Sequence, residues 1–414
     1  MWVGKLAVSN FRGLKSADLQ LNEHCVFVGP NGSGKSSLVD ALALVLGRPR
    51  LVRSLTEHDF FGGKPAPEDR IRIVASLVGF PDNDPDRSTE WFRAGRAIPK
   101  WRDSAGVLHA SAAGDRALCA EVGFAARFDH DELTVETIRY FHDGETDVDP
   151  FDDSRPVEQV PARLINEVGF FVLPARRGWE GMASFASELF RKTVSNAAGL
   201  PSKEILAQRD QVRNPSQPLE ASAELLDLAA SMNRQLARLL IEKPEFKLRL
   251  TTGDSEGVLQ ALLPHYASAN VTLPVSRHGS GLLSLQTLLL LLEVGRARRK
   301  KKLSFILALE EPELHLSPGL QGRLVSDAIS TAEQTICTTH APSVGMAYSP
   351  TSTMVMRVDA GVLSATPMLD KPLALLATND ERKLYHQGRS RFLSSLMHPY
   401  LLVPEGRFDW EWLE

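Results

Sequence analysis

The sequence has few cysteines: Cys25, Cys119 and Cys337 are three in 414 residues, odd in number and far apart. That excludes a disulfide framework, and no Cys-x-x-Cys pair offers a metal site, so the three are expected as core thiols. A surplus of one charge sign is also missing. Lys and Arg number 47 against 51 Asp and Glu, a formal net charge of −4, so no global basic field points to nucleic acid, and any DNA contact has to come from a local patch. Long hydrophobic runs are absent as well. The longest apolar stretch, Leu282 to Val294, is interrupted by Ser284, Gln286, Thr287 and Glu293, which predicts a buried helix too short to span a bilayer. The chain does not open on a basic segment, an apolar core and a small-residue cleavage site, so a cytoplasmic protein without membrane contact is expected. No internal repeat or long low-complexity segment is visible.

What is present is ordinary globular composition, 43% apolar and 24% charged, in a chain long enough for two or three domains. The N-terminal stretch reads as two strands around a turn: Val3 to Ser9 alternates, Phe11-Arg12-Gly13 punctuates, and Cys25 to Val28 is a short apolar run. From Ser36 to Leu46, Leu38, Val39, Leu42, Val45 and Leu46 recur at helical spacing. Residues 60 to 165 are rich in Asp, Pro and Gly with short alternating runs, which predicts an antiparallel β-rich lobe. From 177 to 243 the pattern becomes helical. Strands are expected again near Phe246 to Thr251 and at Leu303 to Leu309, with the Leu-rich helix between them.

Between the Cys25–Val28 strand and the following helix lies Gly29-Pro30-Asn31-Gly32-Ser33-Gly34-Lys35-Ser36, which satisfies G-x-x-x-x-G-K-[ST] in the strand-loop-helix setting that motif requires. Glycines let backbone N–H groups curl around phosphates, Lys35 can reach the β/γ-phosphates of ATP, and the Ser36 hydroxyl can ligate Mg2+, with Ser37 beside it. A second piece follows the apolar strand 303–309, which ends in Glu310-Glu311-Pro312-Glu313-Leu314-His315. Doubly wound sheets bind ligands at that edge, so Glu310 is expected on the metal and Glu311 on the attacking water. A third is Thr335 to Thr338, a short strand that delivers His340 to the same edge, within reach of a γ-phosphate. The fourth is His278-Gly279-Ser280-Gly281 before the Leu-rich helix. Ser280 is expected as its N-cap, and with Gly281 as part of a loop that meets a nucleotide of another subunit.

Taken in order, these pieces resemble the ABC-type ATPases of the RecF, structural-maintenance-of-chromosomes and OLD (overcoming lysogenisation defect) group. The resemblance implies an α/β fold: an ABC-type P-loop ATPase head, a mixed sheet with a β-rich lobe, and a helical insertion. Asn10-Phe11-Arg12-Gly13-Leu14 resembles the group's N-terminal strand turn, which implies a phosphate contact for Arg12. Glu311-Pro312-Glu313-Leu314-His315-Leu316-Ser317-Pro318 with Leu320-Gln321 is most similar to OLD heads, where Glu often replaces Asp at the position of Glu310. Tyr400-Leu401-Leu402-Val403-Pro404-Glu405-Gly406-Arg407-Phe408-Asp409 resembles the opening strand of a Toprim nuclease domain, with Glu405 at the metal position. The sequence stops before the aspartate-bearing strand such a domain needs.

The expected organisation is therefore a head in two parts, 1–165 and 263–395, a helical insertion at 166–262, and the start of a Toprim-like unit at 396–414. The implied function is ATP hydrolysis by a homodimer, joined through head and insertion, that regulates DNA cleavage in anti-phage defence. A RecF-like switched clamp that engages DNA or a separate effector protein and cuts nothing is the alternative; a transport ATPase is a third reading with no motif to support it. The run Arg296, Arg298, Arg299, Lys300, Lys301 and Lys302 is either a DNA-phosphate patch or a solvated turn whose cations suit the helix end.

Overall fold

The structure is a computed structural model that describes residues 1–47, 54–93, 96–144, 148–175, 202–213, 223–239, 254–261, 264–267, 271–375 and 378–398. It divides into two compact units, residues 1–175 with 298–414, and residues 176–297.

The first unit is built on one mixed sheet, of 13 strands among the described residues. Its parallel half contains β3 (His24–Val28), β9 (Phe170–Leu173), β12 (Ile306–Glu310), β13 (Gln334–Thr338) and β14 (Thr353–Asp359), in the order β9-β12-β13-β3-β14. Strands buried on both faces read as continuous apolar runs, and Cys25 to Val28 and Ile306 to Leu309 are buried throughout. Beyond β14 the sheet continues through β15 (Val362–Pro367), β2 (Leu14–Gln20), β1 (Trp2–Phe11), β4 (Ile71–Val78), β7 (Ala117–Asp129), β5 (Lys100–Arg102) and β6 (Leu108–His109), and β8 (Thr134–Phe141) pairs with β7. The β-rich stretch after residue 60 is antiparallel, as its alternation predicts, and extends the same mixed sheet. β2 is an element the sequence reading lacks; its charged and polar residues alternate with Leu14, Ala17 and Leu19, which are buried.

The helix after the phosphate loop, α1 (Lys35–Leu46), lies against strands of both halves. Ala41, Ala43 and Leu44 are buried along with the expected Leu38, Val39, Leu42, Val45 and Leu46, so α1 is a central core helix rather than one with a single apolar face. The sheet curls around it. Gln334, fully buried at the start of β13, donates to Val3 O and accepts from Val3 N, each at 2.9 Å, although β2, β15, β14 and β3 lie between β1 and β13 in the sheet order. A buried amide that meets its partners this way carries no desolvation debt. All three cysteines are buried and free, and burial pushes the Cys25 and Cys119 thiols up to about 12.

The second unit contains helices Ser202–Arg213, Ala223–Leu239 and Ser255–Ala261, the hairpin His265–Ala267 with Thr272–Pro274, and most of the helix Ser280–Lys300. Phe170 to Leu173 belongs to the head sheet, while Gly279 to Gly281 falls in the second unit, so its span of 176–297 differs from the expected 166–262. The strand expected at 246–251 lies outside the described residues. The helix Ser280–Lys300 has 21 residues, longer than the apolar run inside it, and by length and composition alone such a helix can cross a bilayer. The helix is thus longer than the apolar run predicts; core helices of soluble proteins share these properties.

Candidate nucleotide site

Parallel pairing places three loops side by side. Thr338 is in register with Glu310 on one side and Phe27 on the other, so the residues after β3, β12 and β13 leave the sheet at one edge. They are Gly29, Glu311 and Thr339, each belonging to or preceding one of three of the four motifs found in the sequence.

The loop from Gly29 to Lys35 has the geometry of a phosphate cradle. Gly32 (φ 80°) and Gly34 (φ 87°) take left-handed conformations that favour glycine. At Gly29 a Cβ would stand 2.9 Å from Met356 O and from Ser33 Oγ. Gly34 precedes the first turn of α1, whose amides have no intrahelical acceptor. The buried Lys35 ammonium donates to Gly29 O and Pro30 O, both at 2.9 Å, and to Ser33 Oγ at 3.2 Å. Burial lowers its pKa below the ordinary lysine value, an effect opposed by the charges of Glu311 and Glu313.

Lys35, Ser36, Ser37, Glu311 and His340 line one cleft of about 230 Å3, with Asn31 and Gly32 at the loop. Ser36 is exposed to that space. Glu311 sits at φ 45°, a conformation uncommon for a non-glycine residue and often retained where a side chain must be aimed. His340 is partly buried. Burial and, second, the Lys35 charge lower its pKa below 6.5, against the pull of Glu311 and Glu313. The donor set suits a polyphosphate with a divalent cation: loop and first-turn amides, one ammonium, one hydroxyl and a carboxylate. Mg2+ would supply charge neutralisation and a Lewis acid, held by Ser36 and a carboxylate at the strand edge.

Not every expected residue reaches the cleft. Glu310, at the end of β12, does not line it, and its carboxylate accepts from Ala175 N at 3.2 Å. The Arg12 guanidinium is held between Asp59, at 2.8 Å, and Asp40 of α1. Burial opposes its charge, but these two partners outweigh burial and raise its pKa. A phosphate would have to compete with both carboxylates for Arg12. Ser280 is the first helical residue, so the N-cap position falls to Gly279 rather than Ser280; Ser280 is exposed in the second unit, with Gly281 following it. Glu405 lies outside the described residues, as does the Toprim-like segment from 399 onward.

Two residues at the site belong to the stretch that resembles OLD heads but have no role assigned from sequence. Glu313 accepts from the His340 backbone N–H at 2.8 Å through Oε1. Gln321, on the helix Pro318–Thr331, donates to Leu316 O at 2.8 Å and accepts from the Ser343 hydroxyl.

The family described as "Protein of unknown function (DUF2813)" matches residues 1–106, which include β1 to α1 and the whole phosphate loop. No curated protein sequence matches the chain. Similar solved structures include an Smc head bound to the C-winged helix domain of ScpA, at 14% identity over 88% of this chain and 98% of that one, with a TM-score of 0.45. Another is the Smc head domain with an extended coiled coil bound to the C-terminal domain of ScpA, derived from Pyrococcus furiosus: 13% identity, 94% and 99% covered, TM-score 0.46. The SMC head domain from Thermotoga maritima matches at 16% identity over 89% of this chain and 99% of its own, with a TM-score of 0.34.

Proposed function

We propose that this chain is an ATP-binding and ATP-hydrolysing head. The observation that carries the reading is convergence: three sequence segments, from residues 29–36, 310–313 and 339–340, end at one sheet edge and put Lys35, Ser36, Glu311 and His340 around one cleft. In this reading the loop Gly29 to Ser36 holds the phosphates, Ser36 and Glu310 hold Mg2+, Glu311 accepts a proton from the attacking water, and His340 meets the γ-phosphate. For Glu310 this requires that Ala175 share or release its carboxylate.

The finer reading is the ATPase portion of an OLD-type nuclease, a homodimer that regulates DNA cleavage in anti-phage defence. It is supported by the similarity of Glu311 to Pro318 to OLD heads and of Tyr400 to Asp409 to a Toprim opening. In such a dimer Ser280 and Gly281 of one copy would complete the site of the other.

The test measures ATP turnover and sedimentation for wild type and Glu311→Gln, with and without ATP and Mg2+. Glu311→Gln should lose turnover while retaining ATP and accumulating as a dimer. Normal turnover in that variant would remove Glu311 from its assigned role. Turnover and dimer formation with no effect on DNA cleavage by a full-length relative would favour the switched-clamp reading.

A further inference from the structure

Once β12 and β13 end, their ladder has nothing to keep the two following loops together, yet both must hold still if Glu311 and His340 are to face one cleft. Three links replace the ladder. Glu311 N donates to Thr338 O at 2.9 Å, the Glu313 carboxylate takes the His340 N–H at 2.8 Å, and Gln321 bridges Leu316 O and the Ser343 hydroxyl. The middle link is charge-assisted, and it is the one placed directly on the histidine. Glu313 Oε2 is buried with no hydrogen-bond partner among the described residues. An orphaned carboxylate oxygen is a cost that packing alone does not call for.

We propose that Glu313 is a positioning residue: its carboxylate fixes the backbone of His340 so that the imidazole faces the cleft opposite Glu311. It acts through reach, by accepting one N–H, rather than by supplying a proton or a charge to the reaction. This rests on the ATPase reading of the cleft, but the contact joins two groups of the chain itself and can be measured without nucleotide.

Two conservative variants separate reach from charge. Glu313→Gln keeps the length and an acceptor oxygen but loses the charge; Glu313→Asp keeps the charge but falls a methylene short. The Gln variant should turn over ATP within about threefold of wild type, whereas Asp and Ala should lose kcat on the order of 100-fold, the scale of a displaced catalytic group, with the KM for ATP little changed. Adding His340→Ala to Glu313→Ala should cost no more than His340→Ala alone. Hydrogen exchange at the His340 amide, measured without nucleotide, should accelerate in the Asp and Ala variants and stay slow in Gln. Asp covers the case in which Ala fails to fold. Retained turnover in Asp with loss in Gln would overturn the proposal, as would additive losses with His340→Ala or unchanged exchange at His340 in the Asp variant. Wild type that binds no ATP would sink the functional reading, and the exchange measurement would still decide the role of Glu313.

Discussion

Arg298 Nη2 donates to the main-chain carbonyl of Glu167 at 2.8 Å, and the same side chain reaches Asn166 O at 3.0 Å and Ser304 O at 2.6 Å. Asn166 and Glu167 lie in the last turn of the helix Ala162–Val168, whose last carbonyls have no intrahelical donor, so Arg298 is a C-terminal cap supplied from elsewhere in the chain. The basic run is therefore not uniform. Arg298 is buried within the last turns of the helix Ser280–Lys300, while Arg299, Lys300, Lys301 and Lys302 are exposed.

Arg298→Ala should destabilise the head by about 2–4 kcal/mol, since it strips donors from buried carbonyls, and a thermal melt reads this as a lowered Tm. Lys300→Glu with Lys301→Glu should leave Tm within the error of the melt. If the exposed cations contact DNA, the same pair should weaken DNA binding and flatten its salt dependence. An unchanged melt in Arg298→Ala would contradict the capping role.

Gly34→Ala tests the loop conformation. At φ 87° an L-residue is strained, and the new Cβ would lie 3.3 Å from Leu14 Cδ2. Stability should fall by about 1–2 kcal/mol from the backbone alone, and nucleotide affinity should fall with it because the amides of the cradle move. A variant with wild-type Tm and affinity would show that the left-handed turn is not required.

The parallel core and the phosphate loop were legible in the sequence because each carries a local signal: Cys25 to Val28 and Ile306 to Leu309 are unbroken apolar runs, and the glycines of 29 to 34 stand at fixed spacing. β2 was not legible, since Lys15, Ser16, Asp18 and Gln20 give it a polar face that reads as loop. The Arg298–Glu167 contact was out of reach because it joins residues far apart in sequence, and the Glu313–His340 contact because the expected shared edge brings the two loops together without saying which side chain meets which backbone N–H. Ser280 missed its cap position by one residue, the usual resolution of a helix boundary drawn from composition.

His340 gives the site a pH signature. Its folded value is depressed by burial and by Lys35, so the neutral imidazole is fully accommodated above 6.5, and stability is lost as pH falls through the lower folded value. A kcat/KM limited by the neutral form should hold level at and above 6.5 and drop only as the pH falls through the lower folded value. In His340→Gln that acid limb should move or vanish; an identical limb would assign it to another group.

The central claim is that the loop Gly29 to Ser36 binds ATP, and equilibrium binding of labelled ATP with Mg2+ to wild type and to Lys35→Ala tests it most directly. Lys35→Ala also removes the ammonium that ties Gly29, Pro30 and Ser33 together, so both proteins are first shown to melt cooperatively. Saturable binding to wild type, weakened on the order of 100-fold or about 2.7 kcal/mol in Lys35→Ala, is the predicted result. No binding to wild type, or equal affinity in a folded Lys35→Ala, would contradict it.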